Sequence, residues 1–243
     1  MPLRLTCIGV LVALLLAGST LSAAELKTND VAARKGNGPD GQGNTADDTW
    51  QFWFELAHKP GEFRRFTRHS SQIPAGGIPR KVTGPPAGLL PHPKQTLGWV
   101  LHTDWDARYE GIWADKKTGE VLAHPYVEKR AHMAVAITYL VAADGVYTIS
   151  GGVTDVQVKP EFAKHDGIIW KVEIAKAGAV VRKLGQGKPV GDGHGRPESD
   201  KFNFPGVKLT KGQLVRLVIH PNKWWGQDLT RIDAFKIERK KGS

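Results

Sequence analysis

Alternation of apolar and polar residues runs through the second half of the chain. From Ala134 the sequence reads AVAITYLVAADGVYTISGGVTDVQV, then KPEFAKHDG, then IIWKVEI up to Ile174. A period of two marks half-buried strands, and the Ala-Asp-Gly and His-Asp-Gly interruptions are turn sequences. Three successive antiparallel strands are predicted. Ala177-Gly178 predicts a tight hairpin into AVVRKLG, which holds Val180 and Val181. Val207 to Leu209 reads as a short strand and Lys211-Gly212 as a turn. The pattern then returns in Leu214 to Ile219 and in Arg231 to Glu238. In the last of these, plain alternation puts Ile232 and Ala234 on one side and Asp233, Phe235 and Ile237 on the other.

The first half is more broken. WQFWFEL, from Trp50 to Leu56, predicts an apolar strand with Trp50, Phe52 and Phe54 on one face and Trp53 on the other. EFRRFTRHS offers a second strand carrying Arg64, Arg65, Arg68 and His69. In Leu97 to Asp106, alternation places Trp99, Leu101, Thr103 and Trp105 on one face and His102, Asp104 and Asp106 on the other. A hairpin is predicted at Lys116 to Gly119. Pro and Gly crowd the stretches 70–94 and 185–205, which predicts irregular chain in both. No segment keeps a 3.6-residue period over the length of a globular helix. The fold class that follows is all-β: an antiparallel β-sandwich or jelly roll with long Gly/Pro-rich loops. One domain is expected over 50–239, after a flexible Gly/Asn/Asp-rich segment at 25–49 and before a basic tail at 240–243.

The first residues change where that domain is expected to work. Arg4, the apolar run Ile8 to Ala17 and the small residues Ser22-Ala23-Ala24 form a secretion signal over 1–24. Its apolar run is too short to span a bilayer, so the expected product is secreted or periplasmic, with no membrane span after signal cleavage. Cys7 is the only cysteine of the 243 residues and sits in the signal. A mature chain without cysteine has no disulfide, so its stability rests on its core or on metal ions.

The net charge of +10, with a pI near 9.7, attracts polyanions. Outside a cell these are acidic or sulfated glycans and envelope polymers. The basic residues are spread out and match no nucleic-acid recognition motif, so nucleic acid is not the expected partner. There is no G-x-S-x-G, no H-E-x-x-H and no cysteine nucleophile. No pair of carboxylates stands out at glycosidase spacing. His102, Asp104 and Asp106 share a predicted face, an arrangement that suits acid–base or metal chemistry and also an ordinary solvated face.

Several runs resemble the galactose-binding-like, or carbohydrate-binding-module, type of β-sandwich found in exported bacterial glycan-processing proteins. They are His124-Pro125, AVAITYLVAADGVYTISG, HDGIIWKVEI, VKLTKGQLVRLVIHP, and Asp228-Leu229-Thr230 followed by RIDAFKIE. The likeness covers roughly 124–238, and more loosely the strand Trp50 to Leu56. Ala143-Asp144 stands where that family has a proline, and the Gly/Pro-rich insertion before residue 97 has no counterpart. The resemblance implies a glycan ligand. It also implies a structural Ca2+ ion held between an early acidic segment and the last strand, at positions among Asp47, Asp48, Asp228 and Asp233.

Sugar recognition uses an exposed aromatic ring against the C–H face of the sugar. Trp224 and Trp225, in a predicted loop beside Gly226, are the leading candidates, with Trp105 and Trp113 behind them. Arg182, His194 and Arg196 suit the carboxylate or sulfate of an acidic polysaccharide. The expected function is therefore non-catalytic carbohydrate binding. A jelly-roll polysaccharide lyase is the enzymatic alternative, drawing on Tyr109, Tyr126, His102, His132 and the Arg64/Arg65/Arg68 cluster. A structural envelope protein is the third reading.

Overall fold

The structure is a computed structural model. It describes residues 23–27, 30–31, 49–56, 59–66, 68–69, 96–100, 111–115, 118–128, 131–156, 167–189, 197–222 and 229–241. The strands, in chain order, are β1 (Ala23–Glu25), β2 (Trp50–Leu56), β3 (Lys59–Arg65), β4 (Arg68–His69), β5 (Thr96–Val100), β6 (Gly111–Asp115), β7 (Val121–His124) and β8 (Tyr126–Glu128). They continue as β9 (Ala131–Met133), β10 (Val135–Leu140), β11 (Gly145–Asp155), β12 (Ile168–Lys176), β13 (Ala179–Gly187), β14 (Glu198–Leu209), β15 (Leu214–Pro221) and β16 (Thr230–Arg239). All described pairings are antiparallel, as the all-β expectation requires.

Two sheets face one another. The first has the order β14-β11-β16-β7-β6-β5-β4, with β1 also on β16. The second has the order β13-β12-β15-β10-β2-β3, and β8-β9 forms a separate hairpin. Apolar residues from both inner faces make one core, including Phe52, Ile137, Ile149, Val172, Leu217 and Phe235. A chain of rings crosses it. Tyr139 meets Trp50 at 5.3 Å, Trp50 meets Phe235 at 5.4 Å, and Phe235 meets Phe202 at 6.2 Å. Phe202 then meets Trp170 at 5.1 Å and stacks on Phe204 at 5.8 Å. Such spacings and tilts suit the ring quadrupoles as well as the burial of area.

Glycines admit these rings. Gly151 on β11 is paired with Phe202 on one side and Phe235 on the other. A Cβ there would lie 2.6 Å from Phe202 Cζ and would also strike the Ala234 carbonyl. Across the core, a Cβ at Gly185 would lie 2.6 Å from Phe204 Cζ, and one at Gly187 would strike Asp200 and Trp170. The Gly-rich stretch 185–205, expected to be irregular, is thus strand at both described ends. β13 runs to Gly187, and β14 begins at Glu198. The glycines mark close approach of the two sheets rather than loop. Pro205-Gly206 is absorbed as a β-bulge: pairing shifts from Phe204↔Ile149 to Val207↔Tyr147, with Gly206 at φ +73°.

A second bulge corrects the expected faces of the last strand. Ile232 pairs with Val153 but Ala234 pairs with Gly152, so Asp233 is the extra residue. Thr230 and Ile232 are buried before the bulge, and Phe235 and Ile237 after it. Asp233 turns outward. The folded unit also starts earlier than residue 50. Ala23–Glu25 pairs with 236–238 of β16, Glu25 meets Lys236 at 3.2 Å, and Leu26 and Val31 enter the core.

The outer face of the second sheet is covered as well. Trp53 and Phe63 pack there on Ala134, Ala136 and Val218. The edge strands β3 and β13 touch each other, so this sheet is strongly curled. Trp53 on the face opposite Trp50 and Phe52 matches the sequence alternation.

The close approach at Gly151 gives a direct test. Gly151→Ala is expected to destabilise the protein by about 1–3 kcal/mol through overpacking. Urea unfolding should show a lower midpoint at unchanged slope, and an unchanged midpoint would remove Gly151 as the point that admits Phe202.

Candidate functional site on the β13–β14 flank

β13 and β14 belong to different sheets and form the same flank of the sandwich. The turn before β13 is a two-residue hairpin loop: Lys176 pairs with Ala179, and Ala177 and Gly178 both have positive φ, +50° and +87°. Such primed turns follow the right-handed twist of the flanking strands. Beyond the turn, 179–183 is exposed on both faces, so this half of the hairpin stands clear of the core. Val180 and Val181 are 45% and 55% exposed.

Charge gathers around them. The stretch 176–189 contains Lys176, Arg182, Lys183 and Lys188, and no acidic residue. β14 adds Lys201 and Lys208, both exposed, and one exposed acid, Glu198 at its first position. Arg182 Nη2 donates to the Lys208 carbonyl at 3.3 Å, joining the two edges. Asp200 of β14 points inward and accepts from Trp170 Nε1 at 2.8 Å, which withdraws its charge from the flank. The result is an apolar pair set in a cationic stripe. Guanidinium and ammonium groups so placed bind carboxylate or sulfate esters, and the valine side chains offer dispersion contact to C–H groups.

The other expected site residues fall elsewhere. Trp113 is 5% exposed and packs with Leu122 and the partly buried Leu229, its ring 6.3 Å from that of His124. Its faces are covered, so it acts in packing rather than as an open platform. Trp105, His194, Arg196, Trp224, Trp225, Asp47, Asp48 and Asp228 lie outside the described residues, as do His102, Asp104, Asp106 and Tyr109. Arg64 and Arg65 lie on β3, where Arg65 sits 5.7 Å from the Trp53 ring.

Asp233 lies on the rim of a cleft of about 490 Å³, where β7 and β1 share one edge of β16. Its Oδ1 accepts from Arg231 Nε at 2.7 Å and its Oδ2 from the Thr154 hydroxyl at 2.6 Å. Arg231 also meets Glu120 at 3.3 Å, and Thr154 meets Ser199 at 2.7 Å. The hydrogen bond that Arg231 donates to Asp233 is the main reason the Arg231 pKa is raised, and Glu120 adds to it. This brace was not foreseen, because only the bulge brings Arg231, Asp233 and Thr154 together. It does not fit the implied calcium site. Both Asp233 oxygens are engaged, one by a guanidinium that an ion would have to displace. Among the described residues, no group of three or more His, Cys, Asp or Glu side chains is placed to hold a metal. Also among them, no helix is long and apolar enough to cross a membrane.

No protein-family model matches the chain, and no curated protein matches it. Among solved structures, the chain is similar to the CBM61 module determined with β-1,4-galactotriose, at 15% identity and TM-score 0.33, over 50% of this chain and 70% of that one. It is similar to a family 35 carbohydrate-binding module from Clostridium thermocellum, at 12% identity and TM-score 0.26, over 49% of this chain and 92% of that one. It is also similar to the K3 adhesin domain of Lys-gingipain from Porphyromonas gingivalis, at 9% identity and TM-score 0.35, over 49% and 72%. The likeness is one of β-sandwich arrangement over about half the chain, and no site residue is carried across from it.

The Asp233 geometry sets a test of the calcium expectation. The melting temperature is expected to be the same in excess EDTA and in millimolar Ca2+. A rise with Ca2+ that is lost in Asp233→Asn would show that the ion takes Asp233 from Arg231.

Proposed function

We propose that this protein is an exported, non-catalytic carbohydrate-binding protein whose ligand is an acidic polysaccharide. The observation that supports this reading is the β13–β14 flank, where Arg182, Lys183 and Lys208 lie beside exposed Val180 and Val181 and Lys188 and Lys201 lie further along the same flank. A linear polyanion matches a stripe of this shape. Strands rise about 3.3 Å per residue, and the nine residues of β13, bulged twice, run beside seven of β12, so the strand offers a track roughly 23 Å long. Trp224 and Trp225 are the aromatic partners that the sequence offers to the same ligand. The signal-like first residues agree with export, where acidic glycans are the abundant polyanions.

Glycan binding to immobilised uronate and sulfated polymers is expected, with weaker binding as salt screens the charges. Arg182→Ser with Lys183→Ser should lower affinity about tenfold, equivalent to about 1.4 kcal/mol, without lowering the melting temperature. Trp224→Ala with Trp225→Ala should also weaken binding. Equal binding to neutral and acidic polymers would overturn the acidic assignment. Release of ultraviolet-absorbing unsaturated products would make the protein a lyase instead.

A further inference from the structure

β15 is buried along most of its length, yet its centre is a cation. Arg216 is 0% exposed. It pairs in register with Thr138 of β10 and Glu173 of β12, on the outer face of the curled sheet. Its guanidinium carbon is 5.0 Å from the Phe63 ring and 5.6 Å from the Trp53 ring. Nη1 meets Glu173 Oε1 at 3.4 Å, and Nη2 donates to the carbonyl of Gly178 at 3.3 Å. One side chain thereby ties the tip of the β12–β13 hairpin to the β2–β3 hairpin at the far side of the same sheet. Burial lowers the Arg216 pKa and Glu173 opposes that shift, and an arginine stays protonated throughout.

The tip has a reason to need this tie. Ala177 is the only non-glycine residue at positive φ among the described residues. An L-residue with a Cβ pays for that conformation, and asparagine or glycine is the usual occupant of such a turn. Ala177 is exposed, so apart from the Lys176–Ala179 strand pair it has no buried side chain to anchor it. What does reach the turn is Arg216, through the next residue's carbonyl. The stripe residues Val180, Val181, Arg182 and Lys183 follow within a few positions on the half of β13 that the core does not cover.

We propose that Arg216 is a positioning residue: its bond to the Gly178 carbonyl holds the strained Ala177-Gly178 turn closed and thereby fixes the cationic stripe in its binding geometry. The inference rests on the proposed polyanion function for its consequence, and on the turn alone for its physical content. Arg216 itself touches no ligand, being fully covered.

Hydrogen exchange in the full-length protein tests the turn directly. Removing Arg216 alone would strand Glu173, so the informative variant is Arg216→Met with Glu173→Met, because buried ion pairs are often replaced by apolar residues without loss of fold. Amides of 175–182 should exchange about tenfold or more faster, while β10 and β15 keep their protection. Introducing Ala177→Gly relieves the strain, so the same double substitution in that background should change tip exchange by less than about threefold. Should the apolar variant fail to fold, Arg216→Lys serves. It keeps a charge beside Glu173, but a single ammonium does not reach both Glu173 and the Gly178 carbonyl, and the tip should again exchange faster. Unchanged tip exchange, or an effect undiminished by Ala177→Gly, overturns the proposal.

Binding is read separately with alginate, a linear polyuronate, and with heparin. Affinity should fall in the variant although every stripe charge remains, and recover with Ala177→Gly. A wild-type protein that binds neither polymer would sink the function reading, while the exchange result still judges the pin.

Discussion

Phe202 reaches the middle of the core, against Phe235, because Gly151 beside it has no side chain. That contact sets the spacing of three strands in the first sheet, and through Trp50 and Trp170 it fixes the second sheet above them. A dense core tolerates little change of volume at such a point. The glycines of β13 answer the same requirement from the other side, where Phe204 and the Trp170–Asp200 hydrogen bond need room. Placement of the cationic flank follows from this. β13 lies where it does because Gly185 and Gly187 leave room for Phe204 and Trp170 while Leu184 packs on the core, and its outward residues are then left to solvent.

Strand content and order were largely legible from period-two alternation. Val135–Leu140, Gly145–Asp155, Ile168–Lys176 and Leu214–Pro221 fall close to where the pattern places them. The tight turn at Ala177-Gly178 was legible too. What escaped was set by long-range packing. Nothing local in GQG or in FNFPG distinguishes a loop from a strand whose side chains are absent because a ring from the facing sheet fills the space. Likewise RIDAFKI alternates on paper, and the bulge at Asp233 is visible only when Val153 and Gly152 are set against it. The candidate site was legible in part. Arg182 was singled out by chemical type, but its meeting with Lys208, and the line of Lys188 and Lys201 further along, depend on two sheets meeting at one flank. Arg216 was hidden by its apolar neighbours, which rightly signalled burial and concealed that a charge was buried with them.

The charges divide by sign in a way that the net value alone does not convey. Asp200 turns to an indole, Asp233 and Glu120 to Arg231, Glu173 to Arg216, and Glu25 to Lys236. Acidic groups are thus spent on holding the fold together, and several are withdrawn from the surface. The lysines of β13 and β14 face outward, with no carboxylate on 176–189 and Glu198 the exposed carboxylate of β14. The surface field is therefore more positive on this flank than an even spread of the same residues would give. A linear polyanion responds to that local field rather than to the total.

An exposed edge strand with two adjacent valines is also a hazard, since unpaired backbone groups and apolar side chains invite pairing with another chain. The lysines and arginine around Val180 and Val181 counter it by repulsion. Protection of this kind is indifferent to sign: a ring of carboxylates would keep two copies apart as well as a ring of ammonium groups. Recognition of a polyanion is not indifferent. On β13 every charged residue is positive, Asp200 of β14 is turned inward while Glu198 stays exposed at the start of that strand, and the apolar pair is left uncovered rather than replaced by polar residues. Protection alone requires none of these three features, whereas a surface that must hold an acidic polymer by its charges and its C–H faces together requires all of them.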